Sequence, residues 1–338
     1  DGLPPGLALD EAAIAAEMAR RAPGQNALST ARKESDMVEI QSGFFNGFTT
    51  GTPLCARIVN SDQHSKDYSI LADKMRPGHA DYAGHVRYQG FNDYRGGGHF
   101  SGRLTAPLVF AGAVAKQALA QYGIIVGSHI LQINDIKEER FNPMGVSDAE
   151  LAELHTKKFA VMDDAVGEKM QERILQAKSE LNSVGGVIEA IALHLPAGIG
   201  APYFDSVESM LSHALFSVPA VKGVEFGDGF GFARLTGAEA NDALHYVDGK
   251  VKALTNHNGG VTGGITNGMP FVVRVAIKPT PSIAREQQTV SLKEQADTTL
   301  AIVGRHDPCI VQRAVPVIEA VVAWTLWDLL LEAKKWEK

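Results

Sequence analysis

The sequence has 338 residues, of which 45% are hydrophobic, 21% charged and 7% aromatic, and this composition excludes a disordered or fibrous protein. The formal net charge of −7 excludes a general phosphate-neutralising face of the kind that binds nucleic acid. The two cysteines, Cys55 and Cys309, are far apart and fit neither a metal site nor a disulfide framework, so we expect free thiols in a cytoplasmic protein.

Hydrophobic periodicity and turn residues divide the chain into helices and strands that interleave without a regular βαβ period. In chain order, the patterns predict a helix over Glu11–Arg21, strands over Met37–Gly43 and Pro53–Asn60, an irregular polar segment over Ser61–Tyr94, a helix over Leu104–Tyr122, a strand over Ile124–Ile133, a helix over Ala165–Leu181, a strand over Val187–Leu195, a helix over Ser206–Ser217, a hairpin over Val221–Thr236, a strand over Pro270–Ile277 and a helix over Val311–Lys335. Hairpin signals recur, so we expect an α+β fold with antiparallel sheets instead of a doubly wound parallel sheet. The last helix comes closest to a membrane span, but charged residues and a proline interrupt it, so we expect none.

The irregular polar segment contains a histidine in the hexapeptide Arg76-Pro77-Gly78-His79-Ala80-Asp81. Histidine titrates near neutral pH and can serve as a general acid or base. The alternative is a loop histidine that bonds a local carbonyl group. The hexapeptide alone leaves both interpretations open.

A triple glycine runs into a predicted helix in the segment Tyr94–Thr105. Glycines let backbone N–H groups approach a ligand, and a helix N-terminus favours anions. Arg95 and Arg103 flank the turn, and a guanidinium group suits phosphate or carboxylate. The alternative is a flexible turn with surface arginines, and no Gly-Lys-Ser/Thr follows to make a Walker P-loop.

Three further segments carry polar or cationic residues next to a strand or helix. Thr255–Pro270 is rich in glycine and could wrap a ring and its phosphate, or be a long hairpin turn. Lys278–Ile283 offers a cation and two hydroxyls, or is a strand end stiffened by proline. Gly304–Cys309 could bind an anion before the last helix, or cap that helix through Asp307. Together these loops suit one or two multiply anionic ligands.

These segments, taken in order, resemble the chorismate synthase family over nearly the whole chain. The resemblance also rests on Asp1-Gly2-Leu3-Pro4, Arg20-Arg21-Ala22-Pro23-Gly24-Gln25, Ser29-Thr30-Ala31-Arg32, Val221-Lys222-Gly223-Val224-Glu225 and Arg313-Ala314-Val315-Pro316. It implies a β-α-β sandwich core, commonly assembled as a homotetramer. It also implies conversion of the small molecule 5-enolpyruvylshikimate 3-phosphate to chorismate and phosphate, a 1,4-trans elimination that requires reduced FMN.

The resemblance also assigns roles to individual residues. His79 matches the histidine that protonates the reduced flavin, and Asp307 matches the aspartate that assists removal of the substrate proton. The implied flavin contacts are His99, Phe100, Ser101, Pro219, Ala220, Gly263, Lys278, Pro279, Thr280, Pro281, Ser282 and Arg305. The implied substrate contacts are Arg21, Arg32, Arg95 and Arg103, and no metal is expected.

The sequence departs from the family pattern in two places. The family begins with a strand that carries Gly-Glu-Ser-His-Gly, so we expect a single domain over residues 1–338 that lacks this first strand. His99-Phe100-Ser101 stands where Arg-Ser-Ser is common. Two alternatives to the lyase therefore stay open, an FMN-binding chain without catalysis and a flavin oxidoreductase that consumes NAD(P)H.

Overall fold

The computed structural model describes residues 1–24, 28–29, 36–60, 65–302 and 306–334, with residues 65–68 and 96 as backbone alone. The helices are α1 (Glu11–Arg21), α2 (Asp81–Arg87), α3 (Thr105–Ala120), α4 (Asp148–Thr156), α5 (Asp164–Ser179), α6 (Val207–Ser217), α7 (Gly237–Ala240) and α8 (Val311–Lys334). The strands are β1 (Val38–Ser42), β2 (Phe44–Phe45), β3 (Phe48–Thr49), β4 (Cys55–Ile58), β5 (Ile125–Ile133), β6 (Ile136–Lys137), β7 (Gly186–Leu193), β8 (Val221–Phe226), β9 (Leu244–Val247), β10 (Lys250–Ala253), β11 (Val261–Thr262), β12 (Ile265–Thr266), β13 (Phe271–Ile277), β14 (Gln287–Ser291) and β15 (Ala296–Leu300). Short 3-10 segments cover Ser65–Ala72, Arg95–Phe100, Gly102–Leu104, Tyr203–Asp205 and Gly229–Arg234.

A five-stranded sheet in the order β6-β5-β7-β13-β8 forms the largest sheet of the described chain. All its strand pairs are antiparallel, and the β13–β7 register joins Phe271 to Ala192 at one end and Ile277 to Gly186 at the other. Strand residues alternate between two faces, so Ala190 belongs to the main core cluster while Ile191 belongs to a second, smaller one. The expected α+β class with antiparallel sheets is confirmed.

Helices α3 and α8 pack directly against each other beside this sheet. A Cβ atom at Gly112 would lie 2.2 Å from the Cβ atom of Ala320, so the glycine permits a close helix contact. By length and composition α8 could cross a membrane, but 78% of its most apolar stretch is buried inside the protein. The apolar composition of α8 is therefore explained by its burial in the core between α3 and the sheet.

Helix α1 shows how the sequence directs a charged residue into the interior. Asp10 caps the helix, and its Oδ1 accepts hydrogen bonds from the backbone N–H groups of Ala12 (2.8 Å) and Ala13 (3.1 Å). The buried positions Ile14, Met18 and Arg21 follow one another at spacings of four and three residues. They therefore share one helix face, and the last of them carries its guanidinium group into the core.

The predicted hairpin over Val221–Thr236 is wrong. Only its first half is a strand, β8, which pairs with β13, and a 3-10 segment over Gly229–Arg234 follows. The glycine signal has another cause, because a Cβ atom at Gly227 would lie 2.0 Å from the carbonyl oxygen of His257. The glycine allows two loops to approach closely, and it does not mark a return of the chain.

Candidate active site

A cavity of about 770 Å³ opens where α1 ends and where α3 and α8 begin. Its volume lies within the range of pockets that hold small molecules and cofactors. The lining also includes the start of β8, the chain after β13 and the loop that contains His79. Residues that are distant in sequence therefore meet in one place.

Cationic side chains dominate the described lining of this cavity. They are Arg21, Arg76, Arg103, Lys222, Lys278 and Arg313. Asp307 is the single carboxylate among the described lining residues. The cavity is therefore suited to an anion although the chain as a whole carries a net charge of −7.

Several of these cations already have partners that fix their position. Arg21 forms an ion pair with Asp36, and its Nε donates to Oγ1 of Thr105 at 3.2 Å, at the first residue of α3. Only 3% of the Arg21 side chain is exposed. A cation held this firmly is preorganised, so little entropy is lost when a ligand binds beside it.

His79 lies next to two charged residues of its own hexapeptide. Its Nδ1 is 2.6 Å from Oδ1 of Asp81 and 3.1 Å from Nη2 of Arg76. Burial raises the pKa of Asp81, but hydrogen bonds from Arg76 and His79 outweigh it, and the pKa lies below its usual range. Asp81 is therefore an ionised carboxylate behind the histidine.

Asp307 lies just before α8 and is held by the first turn of that helix. Nη1 of Arg313 donates to its Oδ2 at 2.5 Å, and Nε of Arg313 donates to the backbone carbonyl of Arg21 at 3.0 Å. The Asp307 side chain is 9% exposed. The arrangement fixes one carboxylate oxygen and orients the group toward the cavity that it lines.

The glycine-rich segment before α3 takes a backbone form that other residues rarely adopt. Gly97 and Gly98 have φ angles of +85° and +51°. A Cβ atom at Gly98 would lie 2.5 Å from the carbonyl oxygen of Asp93, so a side chain does not fit there. The segment then presents Ser101, whose Oγ accepts a hydrogen bond from the backbone N–H of Arg103 at 3.2 Å.

The chain after β13 supplies a lysine and an unpartnered hydroxyl group to the cavity. Burial and the nearby charge of Lys222 lower the pKa of Lys278. The ammonium group of Lys278 contacts the carbonyl oxygen of Gly78. Oγ1 of Thr280 is buried and has no hydrogen-bond partner among the described residues. Two neighbouring cations and an orphaned hydroxyl fit a phosphate group or the polar edge of a cofactor.

Apolar side chains cover other parts of the same wall, among them Phe100, Val218 and Ile302. Phe100 packs on α2, where a Cβ atom at Gly84 would lie 2.6 Å from its ring. A pocket whose lining combines apolar side chains with cations fits an aromatic ring that carries a phosphate. These residues therefore fit the flavin mononucleotide that the family resemblance implies.

The cavity brings together most of the residues that the resemblance singles out. Those in its lining are His79, Asp307, His99, Phe100, Ser101, Pro219, Ala220, Lys278, Thr280, Pro281, Ser282, Arg21 and Arg103. Arg32 and Arg305 lie outside the residues that the structure describes.

Three predicted residues are not part of the lining. Gly263 lies at the turn between β11 and β12, which agrees with the hairpin alternative for its segment. Pro279 lies between two lining residues, Lys278 and Thr280. Arg95 is on the surface with 59% of its side chain exposed, and it pairs with Asp93 at 2.7 Å.

Sequence reasoning assigned no role to Arg76, Asp81, Lys222 or Arg313. The first two flank His79 within one hexapeptide, so opposite charges on both sides of a histidine were an available signal. Lys222 belongs to the segment Val221–Glu225, which contributes to the family resemblance, but the resemblance assigned this lysine no role. Arg313 reaches Asp307 only because α8 begins between them, and no local pattern indicates that contact.

Comparison with known proteins gives a consistent result. A family model described as chorismate synthase matches residues 1–331. The chorismate synthase of Thermococcus gammatolerans is 47% identical over 337 residues, which cover 100% of this chain and 92% of that protein. The chorismate synthase of Pyrococcus abyssi is 46% identical over 336 residues, with 99% and 92% covered.

A solved structure agrees with these relatives. The crystal structure of a chorismate synthase superposes with a TM-score of 0.75 and 29% sequence identity, covering 98% of this chain and 86% of that one. The chain therefore belongs to the chorismate synthase family of lyases.

Proposed function

We propose that this chain converts 5-enolpyruvylshikimate 3-phosphate to chorismate and phosphate with reduced FMN bound in the cavity. The reaction removes one proton and one phosphate, so it is redox-neutral overall. The observation that carries the proposal is the cation-rich cavity that joins His79 and Asp307 in one lining. Membership of the chorismate synthase family supports the same reaction.

The substrate's two carboxylates and phosphate would be held by arginines. Arg21 and Arg103 line the cavity beside the start of α3. A guanidinium group binds carboxylate or phosphate through two parallel hydrogen bonds, which fixes orientation as well as charge. Arg32 and Arg95 remain proposed substrate residues from the resemblance alone.

The flavin would be held by the His99–Ser101 segment, by Pro219 and Ala220, and by Lys278–Ser282. Gly263 and Arg305 complete this proposed set on the resemblance alone. The neighbouring charges of Lys278 and Lys222 suit the flavin phosphate, and Thr280 offers a free hydroxyl group. Reduced FMN supplies an electron-rich ring that stabilises electron-poor character at the reacting carbons.

The protein's own contribution to chemistry would be proton transfer. His79 would donate a proton toward the cavity, because its ring lines the wall and its Nδ1 is engaged on the far side. Asp307 would accept the proton that leaves the substrate, since it is a carboxylate with one oxygen fixed by Arg313. Both side chains are largely enclosed, at 14% and 9% exposed, which limits the access of water to the transfer.

The assembly would be a cytoplasmic homotetramer of one domain per chain. Large aromatic side chains stand almost fully exposed on the single chain, including Phe91 (91%), Tyr203 (87%), Phe204 (91%) and Phe230 (85%). Exposed aromatic groups of this size favour burial against another protein surface. The absence of a basic stripe in the sequence argues against nucleic acid as that partner.

The test is anaerobic incubation with chemically reduced FMN and the 3-phosphate substrate, with phosphate and NAD(P)H both quantified. We expect phosphate release without NAD(P)H consumption. Flavin binding without phosphate release would favour a non-catalytic flavin protein instead. In a parallel incubation with oxidised FMN and NAD(P)H but no other reductant, hydride transfer from NAD(P)H to the flavin without phosphate release would favour an oxidoreductase.

A further inference from the structure

We infer that Asp81 is a positioning residue that fixes the ring of His79 with a proton on Nδ1 and directs Nε2 into the cavity. The expected effect of Asp81 on kcat rests on the proposed function. The position of the proton on the His79 ring does not, and it can be tested in the free protein.

The location of the proton follows from the contacts of Nδ1. This atom is 2.6 Å from Oδ1 of Asp81, which is the length of a strong charge-assisted hydrogen bond. An ionised carboxylate has no proton to give, so the proton must belong to the ring nitrogen. The 3.1 Å approach of Arg76 Nη2 to the same nitrogen is then a contact between like donors. That arginine nitrogen has a better acceptor, Oδ1 of Asp81 at 2.8 Å.

Arg76 keeps Asp81 ionised and immobile. Its backbone N–H and its Nε donate to Oδ2 of Asp81 at 3.0 and 2.7 Å, and its Nη1 donates to Oγ of Ser282 at 3.1 Å. The two side chains are 5% and 8% exposed. The carboxylate is therefore anchored through both oxygens, and Oδ1 is shared between Arg76 and the histidine.

The opposite edge of the ring faces the glycine-rich segment. A Cβ atom at Gly97 would lie 3.7 Å from both Cε1 and Nε2 of His79. No residue in the described part of the chain hydrogen-bonds Nε2, and the ring lines the cavity. With Nδ1 committed to Asp81, Nε2 is the nitrogen that exchanges a proton with whatever the cavity holds.

The charged groups beside His79 among the described residues are Asp81, Arg76 and Lys278, whose ammonium group contacts the carbonyl of Gly78. Replacing Asp81 by asparagine keeps the shape but introduces an amide N–H that can donate to Nδ1. The ring would then carry its proton on Nε2. Asparagine also removes the negative charge that stabilises the doubly protonated ring, which is the form that donates a proton from Nε2 and keeps the one on Nδ1.

The first test is made on the unsubstituted free protein. Nitrogen-15 NMR of the histidine-labelled free protein, with the His79 signal assigned by its loss in His79→Gln, reports which ring nitrogen carries hydrogen. We expect the neutral ring of the unsubstituted protein to be protonated at Nδ1. A neutral ring protonated at Nε2 would overturn the inference.

The second test separates positioning from binding. We expect Asp81→Asn to move the His79 proton to Nε2 and to lower kcat by about 10²-fold or more, with KM changed less than threefold. Asp135→Asn, at an exposed turn after β5, is the matched control and should keep both constants. An Asp81→Asn protein with unchanged kcat, or with only a raised KM, would contradict the inference.

The two tests fail in distinguishable ways. Absence of phosphate release from the unsubstituted protein would remove the proposed function while leaving the NMR result intact. An Nε2-protonated ring in an active protein would remove the role of Asp81 while leaving the proposed function intact.

Discussion

Arg313 joins Asp307 to the end of α1, since its Nη1 donates to Oδ2 of Asp307 at 2.5 Å and its Nε donates to the carbonyl of Arg21 at 3.0 Å. The side chain of Arg313, at the start of α8, thus links the proposed proton acceptor, Asp307, to the backbone of a proposed substrate-binding residue, Arg21. The distance between these two groups is fixed by helix packing, because α1 and α8 are in contact. The proposed proton acceptor and the proposed anion-binding arginine therefore share one rigid support.

Replacing Asp307 by asparagine should slow the chemical step and leave substrate binding nearly unchanged. Asparagine keeps the hydrogen bond from Arg313 but cannot accept a proton. We expect kcat to fall by about 10²-fold or more. Steady-state kinetics with reduced FMN gives the comparison, and Asp248→Asn in an exposed turn is the control. A pure rise in KM with unchanged kcat would be inconsistent with the assigned role.

The His79→Ala protein should fold normally and turn over slowly. The ring is 14% exposed and lies at a cavity wall, so its loss removes a functional group without opening the core. We expect kcat to fall by about 10²-fold or more while the melting temperature changes little. His213→Ala, an exposed histidine on α6, serves as the control. Turnover at the unsubstituted rate would remove His79 from the mechanism.

Lys278→Met should weaken flavin binding. Methionine preserves the length of the side chain but removes the charge that lies near Lys222 and lines the cavity. Loss of one charge-assisted hydrogen bond is worth about 1.5–3 kcal/mol, so the Kd for FMN should rise about tenfold or more. Fluorescence titration measures this, with the exposed Lys252→Met as the control. An unchanged Kd would show that the flavin phosphate binds elsewhere.

A buried ionic cluster on the second face of the sheet should make stability depend on pH. Burial lowers the pKa of His129, but hydrogen bonds and charges from Glu138 and Glu189 outweigh it and raise the pKa above its usual value. The folded state then binds a proton more tightly than the unfolded state. The resulting stabilisation is complete below about pH 6.5 and is lost as the pH rises through the folded-state pKa.

Urea unfolding from pH 6 to pH 9 measures this dependence. We expect the free energy of unfolding to fall with rising pH, by at most about 1.4 kcal/mol per pH unit from this one group. The His129→Gln protein should show a flatter dependence, because its side chain does not titrate. Equal slopes in the two proteins would refute the protonated histidine.

A second buried cluster should be essential to the helical layer. Glu319 on α8 is 1% exposed and pairs with Arg20 at 2.6 Å and Lys116 at 2.5 Å. Glu319→Gln would leave two cations with Glu17 as their remaining partner, at a cost of about 3–5 kcal/mol. Glu153→Gln, whose side chain is 71% exposed, should cost less than about 0.5 kcal/mol. Similar unfolding free energies for both variants would contradict this account.

The elements with strong periodicity were predictable from the sequence. Glu11–Arg21 has the predicted bounds, and the strand predicted over Pro270–Ile277 is β13, at Phe271–Ile277. Pairing partners could not be predicted, since β8 is followed by hairpin-like glycines but pairs with β13, which begins only at Phe271. Helix α4 and the β14–β15 hairpin have weak apolar patterns, so their formation depends on tertiary packing that the sequence pattern does not show.

The site was predictable in its residue types more than in its contacts. His79 and Asp307 were predicted through the family resemblance, and they lie in one cavity. Their hydrogen-bond partners, Asp81 and Arg313, are set by the backbone geometry of the folded chain. Sequence spacing alone does not predict these contacts. Arg95 illustrates the limit, because an arginine beside a glycine turn can equally pair with Asp93 on the surface.

The most direct test of the central claim is a single-turnover measurement under anaerobic conditions. The protein is mixed with one equivalent of reduced FMN and a limiting amount of 5-enolpyruvylshikimate 3-phosphate, and phosphate and chorismate are quantified over time. The account predicts that both products appear together in equal amounts, and that both are slowed in His79→Ala and Asp307→Asn. A folded, flavin-binding protein that releases neither product would contradict it.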